Sequence, residues 1–293
     1  MIFVTGINGA AGRAVAEHAL ERGIGLMAIS RSDRLGLSDK IQLVIGDLKR
    51  LLPKANLKRA SGILHLAASR ANTLEDDVLG DLTTLSQLLR HWRSGNFVFT
   101  SSQIVYSESS EPIGEDGVCD PVNWYAAGKM MSETLIQAYH KQRFDGDERA
   151  CRVVFRLPLL LNAHWNQTEQ ALQNYVELVR SNRDFYWECA EELARSYGTS
   201  WIGEDDLASC LLSGLQASRS GVYNIQSGYL AWVDILEELI RRINSQSRIH
   251  FGNRRGVRMP HSRVQLDCSK WEAEGFRAKD NWREIVARFL AAD

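Results

Sequence analysis

Three groups of residues in this sequence have the types and spacing to do chemistry together. The first is Gly6-Ile7-Asn8-Gly9-Ala10-Ala11-Gly12, with glycines three positions apart. The second is Ser102, which ends the run Phe97-Val98-Phe99-Thr100-Ser101-Ser102, and the third is Tyr125-Ala126-Ala127-Gly128-Lys129. Glycine suits a sharp turn, a close approach of backbone to phosphate, or tight packing of a helix on a strand. A helix that starts there offers unpaired N–H groups and the positive end of its dipole. Gly6, Asn8, Gly9, Ala10, Ala11 and Gly12 are therefore candidates to cradle a dinucleotide pyrophosphate. The plainer reading is a glycine-rich turn in an ordinary α/β protein. The position directly after the first apolar run favours the cradle.

Tyr125 and Lys129 are four apart, which puts both on one face of a helix. An ammonium close to a phenol favours the phenolate and lowers its pKa, so Tyr125 could exchange a proton with a substrate hydroxyl or carbonyl beside a nicotinamide ring. Taken alone, the pair also fits an exposed helical couple. Ser102 alone also fits a hydroxyl that caps the next turn. Order and context favour catalysis, because ligands of open α/β sheets lie at the carboxyl ends of strands, where Ser102 would stand. Cofactor choice falls to Ser30-Arg31-Ser32-Asp33-Arg34, after the second apolar run. A guanidinium with a hydroxyl beside it suits a 2′-phosphate, so Arg31 favours NADP over NAD. Asp33 is the counter-signal, since an acid there would hold the ribose hydroxyls of NAD.

The elements that must position these groups follow from periodicity. Short apolar runs are expected as strands at Ile2–Thr5, Leu26–Ile29, Gln42–Ile45, Gly62–Leu66 and Phe97–Thr100. Helical spacing separates them, for example from Gly12 to Arg22, with Gly23 as a stop signal. Continuously apolar strands between helices predict a parallel sheet covered on both faces, a doubly wound α/β domain. Residues 1–160 are expected to form this dinucleotide-binding domain, with part of 199–226 returning to it. Residues 161–293 are expected to form a smaller, helix-rich substrate-binding cap. There 162–195 shows no strand, and Trp232–Asn244 and Trp282–Leu290 read as amphipathic helices.

The 293 residues can bury a sizeable core; 44% are hydrophobic and 24% charged, with a net charge of −1. That balance gives no basic footprint for nucleic acid and no polybasic membrane anchor. The greasiest stretch, 153–161, is too short to span a bilayer and is interrupted by Arg156 and Pro158. The chain opens on a strand with no secretory signal ahead of it, and five cysteines are widely spaced with no C-x-x-C. Together these predict a cytoplasmic protein with reduced thiols. The seven histidines show no metal-ligand spacing, so no metal is expected.

The chain resembles the extended short-chain dehydrogenase/reductase superfamily, in its NAD-dependent epimerase/dehydratase group. The resemblance spans nearly the whole chain. It rests on Thr5-Gly6-x-x-Gly9-x-x-Gly12, Gly46-Asp47-Leu48, His65-Leu66-Ala67-Ala68, Ser101-Ser102-Gln103-Ile104-Val105-Tyr106 and Tyr125-x-x-x-Lys129. Later matches are 201–208, 221–225 and 266–270. It implies a Rossmann sheet, with Asp47 and Leu48 at the adenine and Leu66, Ala67 and Ala68 along the cofactor by their backbone. It also implies that Lys129 holds the nicotinamide ribose and that Leu157 and Pro158 approach the nicotinamide. Members mostly act on nucleotide-linked sugars, and many dimerise through the two helices that here include 79–92 and 125–139.

The departures narrow the chemistry. Dehydratases of the group carry an Asp-Glu pair after the catalytic hydroxyl, whereas Gln103-Ile104 stands here. The Asn many epimerases use on substrate phosphate falls in Leu157-Pro158-Leu159-Leu160-Leu161, and an expected Arg is Thr199. Arg254, Arg255 and Arg258 are candidates to compensate, or are a solvated loop. His164, Trp165, Asn166, Gln167, Tyr186 and Trp187 are polar or aromatic candidates in the cap. The leading expectation is NADP(H)-dependent reduction of a keto group on a nucleotide-linked or related sugar. The runner-up is an epimerase with tightly held NAD. A third reading, of another class, is a non-catalytic NAD(P)-sensing regulatory protein.

Overall fold

The computed structural model describes residues 1–292 except Ser38, 53–56, 70–72, 75–77, 145–149 and 164–170. His164, Trp165, Asn166 and Gln167 thus lie outside the described residues. In chain order the first half runs β1 (Ile2–Thr5), α1 (Ala10–Glu21), β2 (Leu26–Ser30), β3 (Gln42–Ile45), α2 (Leu48–Leu51), β4 (Gly62–His65), α3 (Leu79–His91), β5 (Phe97–Ser102), α4 (Trp124–Phe144) and β6 (Arg152–Leu157). The second half runs β7 (Leu159–Leu161), α5 (Ala171–Arg180), β8 (Phe185–Trp187), α6 (Glu191–Ala194), β9 (Gly198–Gly203), α7 (Glu204–Gly214), β10 (Gly221–Asn224), β11 (Gly228–Ala231), α8 (Trp232–Ile243), β12 (Ile249–Phe251), β13 (Val257–Arg258), β14 (Arg263–Val264), α9 (Ser269–Ala273) and α10 (Trp282–Ala291).

Seven parallel strands form the main sheet in the order β10-β6-β5-β4-β1-β2-β3. Successive side chains of a strand leave opposite faces, and the apolar runs use both. Val4, Leu64, Val98, Val153 and Phe155 pack with Val15 of α1 and Leu211 of α7. Phe3, Ile63, Phe97, Phe99 and Val154 pack with Leu85 and Leu88 of α3 and Ile136 of α4. This is the doubly wound Rossmann arrangement expected from the sequence. One strand departs from it: β3 is an edge, and its Val44 and Ile45 are 50% and 54% exposed. The sheet order reverses at β1, between β2 and β4, and ligands of open α/β sheets bind outside such a switch point.

A second core gathers Leu161, Trp187, Trp201, Leu230, Leu236 and Phe289. Around it β9 pairs with β7, β11 and β14, and β8 pairs in parallel with β12 and β13. The expectation that 162–195 carries no strand is corrected by β8. Its three residues are too few to show a period, and their partners lie more than 60 positions away. Phe185 and Trp187 are fully buried, and Trp187 Nε1 donates to the Pro260 carbonyl at 2.9 Å. Among the described residues no helix is long and apolar enough to cross a membrane.

Candidate active site

The glycine turn is built by close contact. Gly6 has φ +75°, and a Cβ there would stand 2.7 Å from the Ala67 nitrogen. A Cβ on Gly12 would stand 2.3 Å from the Gly6 carbonyl oxygen, so only glycine lets α1 start this close to β1. Gly9 is the N-cap of α1 and supplies no side-chain cap. The first-turn N–H groups at Ala10, Ala11 and Gly12 have no partner within an α-helix, which suits an anion. Asn8 turns inward: its Nδ2 donates to Ser30 Oγ at 2.7 Å and to the Ser32 carbonyl at 2.8 Å. The turn is thereby fastened to the segment that follows β2.

In that segment Arg31 is exposed. The Asp33 carboxylate accepts the Leu37 N–H at 2.7 Å and so closes a local turn. Asp47 is exposed and caps α2, accepting from the Arg50 N–H at 3.3 Å, with Leu48 half-buried after it. Leu66 and Ala67 continue β4 over the crevice. Leu66 N donates to the Thr5 carbonyl at 3.2 Å, and Ala67 N to Thr5 Oγ1 at 3.2 Å; Ala68 is exposed.

Ser102, at the end of β5, is half-buried and caps a short 3-10 turn at Gln103–Val105, accepting the Ile104 N–H at 3.4 Å. Tyr125 lies in the first turn of α4 and Lys129 one turn later. Lys129 Nζ is 5.4 Å from the Tyr125 ring centroid and 4.9 Å from that of Phe99, and it donates to the Thr100 carbonyl at 2.7 Å. Burial pushes the Lys129 ammonium down to about 8, while the carboxylates of Asp81 and Glu133 hold it up. A small cavity brings Tyr125 and Lys129 together with His65, Ala67, Phe99 and Asp81. His65 Nδ1 lies 2.7 Å from Thr5 Oγ1. Burial, then the Lys129 charge, depress the imidazole to about 3, so it is neutral. Leu157 is half-buried at the end of β6, in register with Ser102, and Pro158 is buried after it.

Helix α4 is fixed from below. Arg156 on β6 makes a two-pronged pair with Glu133 of α4, Nη2–Oε2 2.8 Å and Nε–Oε1 3.1 Å, and both residues are buried. Ser101 Oγ also donates to Glu133. Arg156 Nη1 donates to Tyr106 OH at 2.7 Å, whose hydroxyl donates to Asn224 Oδ1 at 2.8 Å. Burial alone would lower the Arg156 pKa, but the bonds to Glu133 hold it protonated.

Several roles were not visible in the sequence. Asp81 was not singled out, because an acid in a helix's first turn is also an ordinary complement to the dipole. Gln103 Nε2 donates to Thr199 Oγ1 at 2.7 Å, joining the turn after Ser102 to β9; its Oε1 is buried with no hydrogen-bond partner among the described residues. Arg254 and Arg258 pair with Glu188 at 2.9 and 3.6 Å, and Arg255 with Asp184 at 3.7 Å, all at exposed positions. Tyr186 lies in β8 between two buried aromatics.

Comparison with known proteins agrees with this architecture. The family described as "NAD dependent epimerase/dehydratase family" matches residues 2–225. The chain is 25% identical to GDP-6-deoxy-D-mannose reductase of Pseudomonas aeruginosa, over 98% of this chain and 96% of that one. In fold it is similar to UDP-glucose 4-epimerase of Thermus thermophilus, solved with NAD, at a TM-score of 0.80 and 18% identity, covering 99% of this chain and 98% of that one. UDP-glucuronic acid 4-epimerase of Bacillus cereus, solved with UDP-glucuronic acid and NAD, also gives 0.80, at 19% identity and the same coverage. With the glycine turn at the switch point and Tyr125 beside Lys129, this match over most of the sequence shows that the chain belongs to the NAD dependent epimerase/dehydratase family of extended short-chain enzymes.

Proposed function

We propose that the protein is an NADP(H)-dependent reductase of a keto group on a nucleotide-linked sugar. The observation that carries the cofactor choice is the Asp33 carboxylate, which is engaged by the Leu37 N–H while Arg31 stands exposed beside Ser32. A guanidinium there matches a 2′-phosphate, and an acid turned into its own loop does not repel one. The reaction direction draws support from the reductase relative. The glycine turn, the α1 N-terminus and the backbone of Leu66–Ala68 fit a dinucleotide, which when bound supplies the reducing electrons. Tyr125 donates the proton to the carbonyl oxygen, Ser102 Oγ hydrogen-bonds that oxygen, and Lys129 orients and polarises the phenol. Residues 161–293 supply the substrate-binding side of the crevice, and a homodimer through α3 and α4 is the assembly we expect.

The epimerase reading is the alternative, favoured by solved relatives that carry NAD. Titration of cofactor-free protein with NADPH and NADH, followed by fluorescence, separates the two. Tighter binding of NADPH, reduced toward the NADH value in Arg31→Ala, is expected. A preference for NADH, or NAD that cannot be removed, would favour the epimerase. Tyr125→Phe is expected to bind cofactor and turn over nothing. Turnover retained in that variant would remove the mechanism, and a wild-type chain that binds NADPH and turns over no sugar would leave the non-catalytic reading.

A further inference from the structure

We propose that Asp81 is a positioning residue of the catalytic centre: its carboxylate balances the Lys129 ammonium and keeps on the Tyr125–Lys129 pair the proton that reduction consumes. The inference rests on the reductase reading for the direction of the reaction. The charge balance itself stands on the geometry.

Asp81 lies in the first turn of α3 and lines the same small cavity as Tyr125, Lys129 and His65. Its Oδ2 accepts the Ser69 N–H at 2.8 Å, which aims the carboxylate into the cavity wall and fastens the segment after β4 to α3. Among the described residues, the groups that face Lys129 come from four elements. From β4 comes His65, buried and neutral. From β5 come the Thr100 carbonyl and the Phe99 ring, neither charged. From α4 come Tyr125 and Glu133, and from α3 Asp81. Glu133 is already committed to Arg156 in a two-pronged pair, so its charge is largely neutralised locally. Asp81 is therefore the acid on the cavity side of Lys129 that bears on the proton to be transferred.

Reduction of a ketone by this site joins two transfers. A reduced nicotinamide dinucleotide, when bound, would supply the hydride to the carbonyl carbon, with the C=O π pair moving to oxygen. That oxygen takes the Tyr125 phenolic proton, leaving an alcohol, the oxidised dinucleotide and a phenolate that solvent reprotonates. The phenol must hold its proton before each turnover. Lys129 alone would favour proton loss; a carboxylate in the same cavity opposes it. Because phenol and ammonium are coupled, the pair loses its first proton at an apparent pKa that belongs to both, and Asp81 raises that value whichever group releases it.

The test is Asp81→Asn, which keeps an oxygen acceptor for the Ser69 N–H and removes only the charge. In cofactor-free protein carrying carbon-labelled tyrosine and lysine, the Tyr125 ring and Lys129 side-chain resonances are followed against pH. The first apparent pKa is expected to fall by about one pH unit, the low end for opposite charges sharing a pocket, and to return in Asp81→Glu. With NADPH and a keto form of GDP-6-deoxy-D-mannose as the probe substrate, chosen after the reductase relative, the alkaline limb of the kcat/KM profile should fall by the same amount. Resonances that titrate alike in wild type and Asp81→Asn would overturn the inference. A wild-type protein that reduces no keto-sugar would overturn the reductase reading instead, leaving the resonance titration to decide the charge balance.

Discussion

Removing Glu133 should cost the protein more stability than removing any surface acid, and the structure supplies the size. Glu133→Ala leaves the Arg156 guanidinium buried, with Tyr106 OH and the Glu115 carbonyl as its remaining acceptors. It also takes away the acceptor of Ser101 Oγ. Breaking a buried pair by deleting one partner costs about 3–5 kcal/mol, because the surviving charge is desolvated without compensation. With an unfolding entropy of about 2.1 cal/mol/K per residue, each kcal/mol lowers the Tm of a 293-residue chain by about 1.6 °C, so a fall of roughly 5–8 °C is expected. Replacing both charges by apolar groups, Glu133→Leu with Arg156→Met, should recover most of the loss, since no unpaired ion remains. Urea unfolding at neutral pH measures both, with the midpoint falling in the single variant at unchanged slope. A single variant within about 1 kcal/mol of wild type, or a double variant as unstable as the single, would refute the claim that this pair anchors α4 to β6.

Two further outcomes follow from the same geometry. Gly12→Ala should abolish dinucleotide binding and lower Tm, because its Cβ would meet the Gly6 and Ile7 carbonyl oxygens at 2.3 and 2.5 Å; a titration showing wild-type affinity would contradict the close approach of α1 to β1. His65 is held down at about 3 in the folded chain against an ordinary 6.5, so the unfolded chain binds the extra proton. The stability this gives is fully present above pH 6.5 and drains away as pH falls toward 3. In His65→Phe the unfolding free energy should depend less on pH across that window, and equal dependence in the two proteins would show that the imidazole is not kept neutral.

The parts of the fold legible in the sequence are those whose signal is local. The β1, β2 and β3 runs, the glycine turn and the periodicity of α8 and α10 depend on neighbours within a turn or two, and they stand within one or two residues of expectation. That Tyr125 and Lys129 lie side by side on one helix was legible for the same reason, as a spacing of four. What was hidden depends on distant partners. β8 exists only because β12 and β13 lie beside it. The Arg156 network joins residues 23, 50 and 118 positions apart. The bond from the Leu37 N–H to the Asp33 carboxylate is a local contact that residue type alone does not reveal. The ion pairs of the arginines at 254, 255 and 258 were hidden because their acids lie at 184 and 188.

The Asn8 amide has a practical implication for altering this protein. Its two short bonds run to Ser30 and Ser32, the residues flanking Arg31. The segment after the second strand is where dinucleotide-binding sheets of this kind carry their choice of cofactor. Here that segment and the glycine turn share one fastener. A graft that replaces Ser30 with an acid would put a carboxylate where Asn8 now donates to a hydroxyl, and one that moves the backbone at Ser32 would lose the carbonyl acceptor; either would pull on the glycine turn. The glycine turn and the segment after β2 are thus mechanically linked, and substitution there is best begun at Arg31 alone, leaving Ser30 and the path of the chain at Ser32 in place.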